Sequence, residues 1–331
     1  KAAGKFFEAM AEQPETEYLG LSGKLKQAIE EGDKDSALQL AEQASNLMPK
    51  TDSVTATLFD LQIQNRDWIK AEETVKKSIR NKTVDSETGR RQRAILLYQR
   101  SLEDETDGRL GDALQQSQRA NSLAPDFVPA AVRTARLLQG AGKRRKAASI
   151  IEETWVANPH PYLAEVMKDL APGTGPQEMM RTLENLAGYN KDHVESHVAI
   201  AKSALAAGMC REAREHLEAV LGASPSARIC RYMAELVEAE NGDVDASREW
   251  LRRASLADPD SAWVCNNCGN TVADWEPICQ RCEKFDHLEW QAPPRVTRMG
   301  FHEDSDDAMK TLRPISESVG FDRSSSDVSG S

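Results

Sequence analysis

Four of the six cysteines in this 331-residue chain form two C-x2-C pairs, Cys265 with Cys268 and Cys279 with Cys282, separated by ten residues. Each pair can turn two thiolates to one side, so together they offer a tetrahedral four-sulfur site. Zinc is the favoured ion, with iron in a rubredoxin-like, electron-transferring centre as the alternative. Four protein ligands leave no position for water or substrate, which points to a structural ion and away from a metallohydrolase. Gly269 permits a tight turn after the first pair, and Pro277 stiffens entry into the second. Trp263, Trp275, Phe285 and Trp290 concentrate aromatic side chains in the same stretch. They are expected to form a mini-core too small to hold without the metal.

The remaining candidates carry less. Cys210 and Cys230 stand singly in helical patterns, which suits a thiol-reducing compartment better than a disulfide framework. His193 and His197 are four apart and would share a helix face, but Val194-Glu195-Ser196 between them is no protease zinc motif. Packing or a solvated face is their ordinary role, and His160, His216 and His287 have no partner signature. Neither a phosphate-cradling G-x-x-x-x-G-K, an H-E-x-x-H nor a G-x-S-x-G occurs. No residue is therefore assigned to catalysis, and the expectation is a protein that is not an enzyme. A formal charge of -11 and a pI near 5.2 work against broad binding to nucleic acid. The run Lys143-Arg144-Arg145-Lys146 opens a helix against its dipole. A solvated face explains it, and at a membrane it would meet anionic lipid or an acidic partner together with Arg90, Arg91 and Arg93.

What must position these residues is legible from self-comparison. Gly32-Asp33, Ala37, Ala44 and Pro49 recur as Gly108, Ala113, Ala120 and Pro125, then Gly142, Ala147, Thr154 and Pro159. Further copies are Gly208, Ala213, Val220 and Pro225, and Gly242, Ser247, Ala254 and Pro259. A weaker copy at Arg66, Ala71 and Ser78 lies 34 residues after the first, and the interval around Gly175 leaves room for a degenerate unit. About seven units result. Each second helix is preceded by an amphipathic segment, as at 17–31, 52–65, 126–140, 193–207 and 226–240. The unit is a helical hairpin whose small residues, seven apart, let the paired helices approach, and whose proline ends the second helix. An insertion of about eight residues between Asp85 and Glu105 is expected to lengthen a helix or loop.

This pattern resembles the tetratricopeptide repeat over roughly residues 17–260. The resemblance implies an all-α superhelix whose first helices line a concave groove for a protein partner, and the cysteine spacing adds a small four-cysteine, rubredoxin-like zinc ribbon after it. The expected domains are an array at 1–262, a ribbon at 263–292 and a disordered, acidic, Ser-rich tail at 293–331.

Repeats running into Ala-Trp-Val-Cys-Asn-Asn-Cys-Gly and closing on Phe-Asp-His-Leu-Glu-Trp-Gln-Ala-Pro resemble the HemY family, the proteobacterial membrane proteins associated with heme-biosynthesis operons. The last repeats, with Ala213-Arg-Glu-His-Leu and Arg248-Glu-Trp-Leu, are similar to it as well. The resemblance implies an inner-membrane anchor preceding Lys1, a cytoplasmic location, and partners among enzymes of late heme synthesis. A related layout of repeats plus a rubredoxin-type ribbon belongs to a regulator of lipopolysaccharide assembly that acts through a membrane protease. Direct heme binding is suggested by the operon context alone, since no Cys-Pro motif or convincing paired-histidine site is present.

Overall fold

The computed structural model describes residues 2–222 and 225–294, with the backbone alone for residues 2 and 3. The tail expected from 293 onward therefore lies, from residue 295, outside the described residues. Fifteen helices and a three-stranded sheet are present among them. The helices follow one another as antiparallel hairpins: α1 (Ala2–Ala11), α2 (Glu17–Glu31), α3 (Lys34–Leu47), α4 (Asp52–Gln64) and α5 (Trp68–Asn81). Then come α6 (Ser86–Thr106), α7 (Leu110–Leu123), α8 (Val128–Gly140) and α9 (Arg144–Ala157). Two short helices, α10 (Pro161–Leu170) and α11 (Pro176–Ala187), fill the interval where the period fails. The array resumes with α12 (Val194–Ala206), α13 (Cys210–Leu221), α14 (Ala227–Asn241) and α15 (Val244–Leu256).

The turn inside each hairpin is set by one left-handed residue. Gly32, Gly108, Gly142, Gly208 and Gly242 all have positive φ, and at the weaker copy Arg66 takes the same conformation at φ 57°. The next residue closes the helix with a backbone bond back five positions: Asp33 N donates to the Ala28 carbonyl at 2.9 Å, and Asp67 N to that of Gln62 at 2.9 Å. Asp33 and Asp67 then cap the following helix, each accepting at 3.1 Å from the backbone N–H three residues on. The small residues of the repeat face inward. Ala44, Ala71, Ala113, Ala120, Ala147 and Ala213 are fully buried, so close helix approach follows from their size.

The chain divides into two compact units. The first is Lys1–Thr174 with Asn185–Asn190 and Trp275–Leu288, and the second is Gly175–Glu184, Lys191–Asp274 and the residues after Leu288. In the first unit every consecutive helix pair from α1 to α10 packs, and in the second every pair from α12 to α15. The insertion after Asp85 lengthens α6 to 21 residues. At the ribbon, β1 (Ala262–Cys265), β2 (Thr271–Val272) and β3 (Leu288–Gln291) form a sheet in the order β2-β1-β3, with β1 and β2 antiparallel in the register Trp263 to Val272. No described helix is long and apolar enough to cross a membrane.

Candidate metal centre and the helix face beside it

The two cysteine pairs obey one local rule, repeated after fourteen residues. Cys265 N donates to the Asn270 carbonyl and Gly269 N to the Cys265 carbonyl, both at 2.8 Å. In the second knuckle Cys279 N donates to the Lys284 carbonyl at 2.9 Å and Glu283 N to the Cys279 carbonyl at 2.8 Å. Both turns need a left-handed residue, Gly269 at φ 71° and Glu283 at φ 58°. Glycine supplies this freely at the first knuckle, whereas the second holds a glutamate in a conformation that disfavours side chains.

The four Sγ atoms of Cys265, Cys268, Cys279 and Cys282 all lie within 4.8 Å of one another, with Cys265 and Cys279 buried. Sulfurs on a tetrahedral ion with bonds of about 2.3 Å stand about 3.8 Å apart, so a small contraction closes the set around one metal. The four-thiolate donor set and its closeness fit a metal ion of the zinc or iron class. The cysteines are free of disulfides.

The ribbon's aromatic side chains do not share one mini-core. Trp263 and Trp290 pack edge-on with centroids 5.4 Å apart. Trp275 and Phe285, on the second knuckle, pack instead on helices of the first unit, which corrects the expectation that all four serve the ribbon alone. Trp275 meets Phe127 at 4.8 Å and Tyr98 at 5.8 Å, and Phe285 stands edge-on to Phe59 at 5.2 Å. Ile278 and Phe285 join a core cluster of Phe59, Ile63, Trp68, Val75 and Leu96. The physical reason is available surface. A knuckle of a dozen residues cannot cover an indole and a phenyl ring by itself, whereas α4, α6 and the N-cap of α8 present Phe59, Tyr98 and Phe127 to it.

A charged contact fixes the orientation. Arg91 on α6 grips Asp286 with two bonds, Nε to Oδ2 at 3.1 Å and Nη2 to Oδ1 at 3.0 Å, and its guanidinium carbon lies 4.4 Å above the Phe127 ring. Asp286 N in turn donates to the Pro277 carbonyl at 2.8 Å, tying the acidic end of the knuckle to its start. On α4, burial raises the Asp60 carboxyl pKa, with Lys284 opposing the shift. Beside the knuckle an open cleft of about 1190 Å³ continues between Trp68, Tyr98, Gln99 and Leu102 on the helices and Pro277 and Gln280 on the ribbon.

The basic residues of the insertion are not a free patch. Arg93 pairs with Glu72 at 3.2 Å, Arg100 joins the same carboxylate at 3.1 Å, and Arg91 holds Asp286. The longer α6 directs these side chains at α5 and the ribbon, so only Arg90 of the three residues grouped in the sequence keeps an exposed, local contact, to the Ser86 carbonyl. Lys143 stands at the N-cap position of α9 without a side-chain cap bond, and Arg144–Lys146 occupy the exposed first turn, as their spacing implies.

His193 and His197 do not cooperate. His193 caps α12, its Nδ1 accepting from Glu195 N at 3.1 Å, which turns it away from the helix face. His197 instead meets His216 of α13, Nδ1 to Nδ1 at 3.1 Å, and burial followed by the His197 charge lowers the His216 pKa. His160 likewise caps α10 through Tyr162 N. Cys210 opens α13, and Cys230 is fully buried in α14, where burial raises its thiol pKa.

No family model matches the chain. It is similar to the "Probable magnetosome protein Mms48" of Magnetospirillum gryphiswaldense, 27% identical over 233 residues that cover 70% of this chain and 52% of that protein. The chain thus spans about half the length of the curated relative it matches. Among solved structures, a tetratricopeptide repeat protein from Parabacteroides merdae is 14% identical, covering 72% of this chain and 98% of that one at a TM-score of 0.33. YrrB, described as a TPR protein with an unusual peptide-binding site, is 18% identical, covering 56% and 92% at a TM-score of 0.30.

Proposed function

We propose that the chain is a non-catalytic scaffold that binds other proteins along α6 and the adjoining ends of α4 and α5, with the four cysteines holding one structural zinc ion. The observation that carries this reading is the cleft beside the second knuckle. It is open, it is walled by α6, the adjoining ends of α4 and α5 and the knuckle, and its polar rim surrounds Trp68, Tyr98 and Trp275, a composition suited to a protein segment. A four-thiolate ion offers no substrate position, so the ribbon contributes shape in this reading and no reaction. A closed tetrahedral four-thiolate site takes zinc and iron alike; in this reading the ion is zinc, and purified chain is expected to be colourless with one zinc per molecule by elemental analysis. A red protein with stoichiometric iron replaces this by the redox reading.

The resemblance to the HemY family supports a place on the cytoplasmic face of an inner membrane, with an enzyme of late heme synthesis as the partner. There the exposed run Lys143–Lys146 adds attraction to anionic lipid. The likeness to a probable magnetosome protein favours a second reading, in which the same scaffold serves an assembly of that kind. Regulation of lipopolysaccharide assembly through a membrane protease is the remaining setting consistent with the layout.

Affinity purification of the tagged chain from membranes of the source organism, beside a chain with all four ribbon cysteines changed to serine, tests the function. A discrete partner recovered with the intact chain is expected, and its identity selects the pathway. Recovery of none from either chain contradicts the scaffold reading.

A further inference from the structure

We infer that the face formed by Phe59, Arg91, Tyr98 and Phe127 is a recognition site for a protein segment bearing two aromatic side chains and a carboxylate, and that the ribbon's second knuckle is its resident, replaceable occupant. The inference rests on the scaffold reading and names the chemistry of what is bound. Its template is on the molecule itself. Over twelve residues, Trp275–Asp286 presents an indole to Phe127 and Tyr98, a phenyl ring to Phe59 and a carboxylate to Arg91. These are the anchors of a peptide contact, aromatic rings seated in a buried patch and one charged pair that sets direction.

Two features mark the occupant as replaceable. The pair that orients it is partly open to water, with side-chain exposures of 30% for Arg91 and 20% for Asp286, so its strength is modest and salt-sensitive. Directly beside the knuckle the cleft is open, and Gln99 and Leu102 wall it, so an incoming chain has a foothold before the knuckle leaves. Held on the same chain, the knuckle competes at an effective concentration in the millimolar range, which sets the affinity that a partner segment must exceed.

The probe is a fluorescein-labelled peptide spanning residues 275–288 with Cys279→Ser and Cys282→Ser, titrated by anisotropy into the full zinc-loaded chain. Asp286→Lys places a cation against Arg91 and releases the occupant. Trp275→Ala with Phe285→Ala releases it by a different route, and zinc content and circular dichroism confirm that each variant is folded. The peptide is expected to bind both released chains at least tenfold more tightly than the original chain. Adding Arg91→Ala to the second variant is expected to reverse most of that gain. Equal binding to released and original chains, or no binding to either released chain, overturns the inference. Exchange of the peptide without any partner from membranes removes the scaffold reading and leaves the occupied site, whereas a partner recovered without peptide exchange does the opposite.

Discussion

Glu72 on α5 is only 5% exposed at its side chain, and three cations meet it: Lys76 at 2.8 Å, Arg93 at 3.2 Å and Arg100 at 3.1 Å. Burial alone would raise its pKa, but Lys76 and Arg93 outweigh burial and hold it below the usual carboxylate value. A carboxyl with a lowered folded pKa contributes stability above its unfolded pKa and loses that contribution as pH falls through the folded value. Glu72→Ala is expected to cost about 3 kcal/mol at neutral pH, because it leaves Arg93 and Arg100 facing each other without their anion. Denaturant unfolding at pH 7 and again at acid pH checks this, and a difference between the two chains that fails to shrink on acidification speaks against the ion pairs. Arg66 gives the opposite sign. It occupies the turn position that glycine fills in five other hairpins, so Arg66→Gly is expected to stabilise by about 0.5–1 kcal/mol, read as a raised melting temperature. An unchanged or lowered value would mean that the arginine side chain compensates for its backbone.

Among the elements, the hairpins were legible because their cause is local: one left-handed turn residue, an aspartate cap at Asp33, Asp67 and Asp243, and small residues seven apart that must be buried. Helix α1 was not, since it carries no copy of the repeat. Its place depends on Gly20 and Gly23 of α2, where an added Cβ would stand 2.3 Å from Ala11 N and 2.3 Å from Phe7 Cδ1. Ala11 offers backbone, which cannot yield as a side chain can, so Gly20→Ala is expected to lift α1 from α2 at about 1–3 kcal/mol. Faster hydrogen exchange confined to residues 4–11 checks it, and unchanged exchange there would show that α1 does not need this contact. The histidines missed the sequence reading for a related reason. His197 and His216 meet across two helices 19 residues apart, and a four-residue spacing draws attention to His193, which the helix start turns into a cap.

At the scale of the whole chain, the cysteine quartet was readable because metal chemistry fixes ligand spacing, and the structure brings the four sulfurs together. Where the second knuckle rests was not readable. Trp275 and Phe285 look from sequence like filling for the ribbon, and their true neighbours Phe59, Tyr98 and Phe127 lie more than a hundred residues away in helices whose repeat pattern is silent about rings. The proposed scaffold function rests on that placement, since a helix face that holds one aromatic and acidic segment, with open space alongside, suits a protein segment. The most direct measurement is photo-cross-linking in the source organism from a benzophenone side chain at Gln99 in the cleft, with the exposed Asp112 of α7 as control. The account predicts a discrete protein adduct from position 99 and none from 112. Equal adducts at both positions, or none at 99, would contradict it.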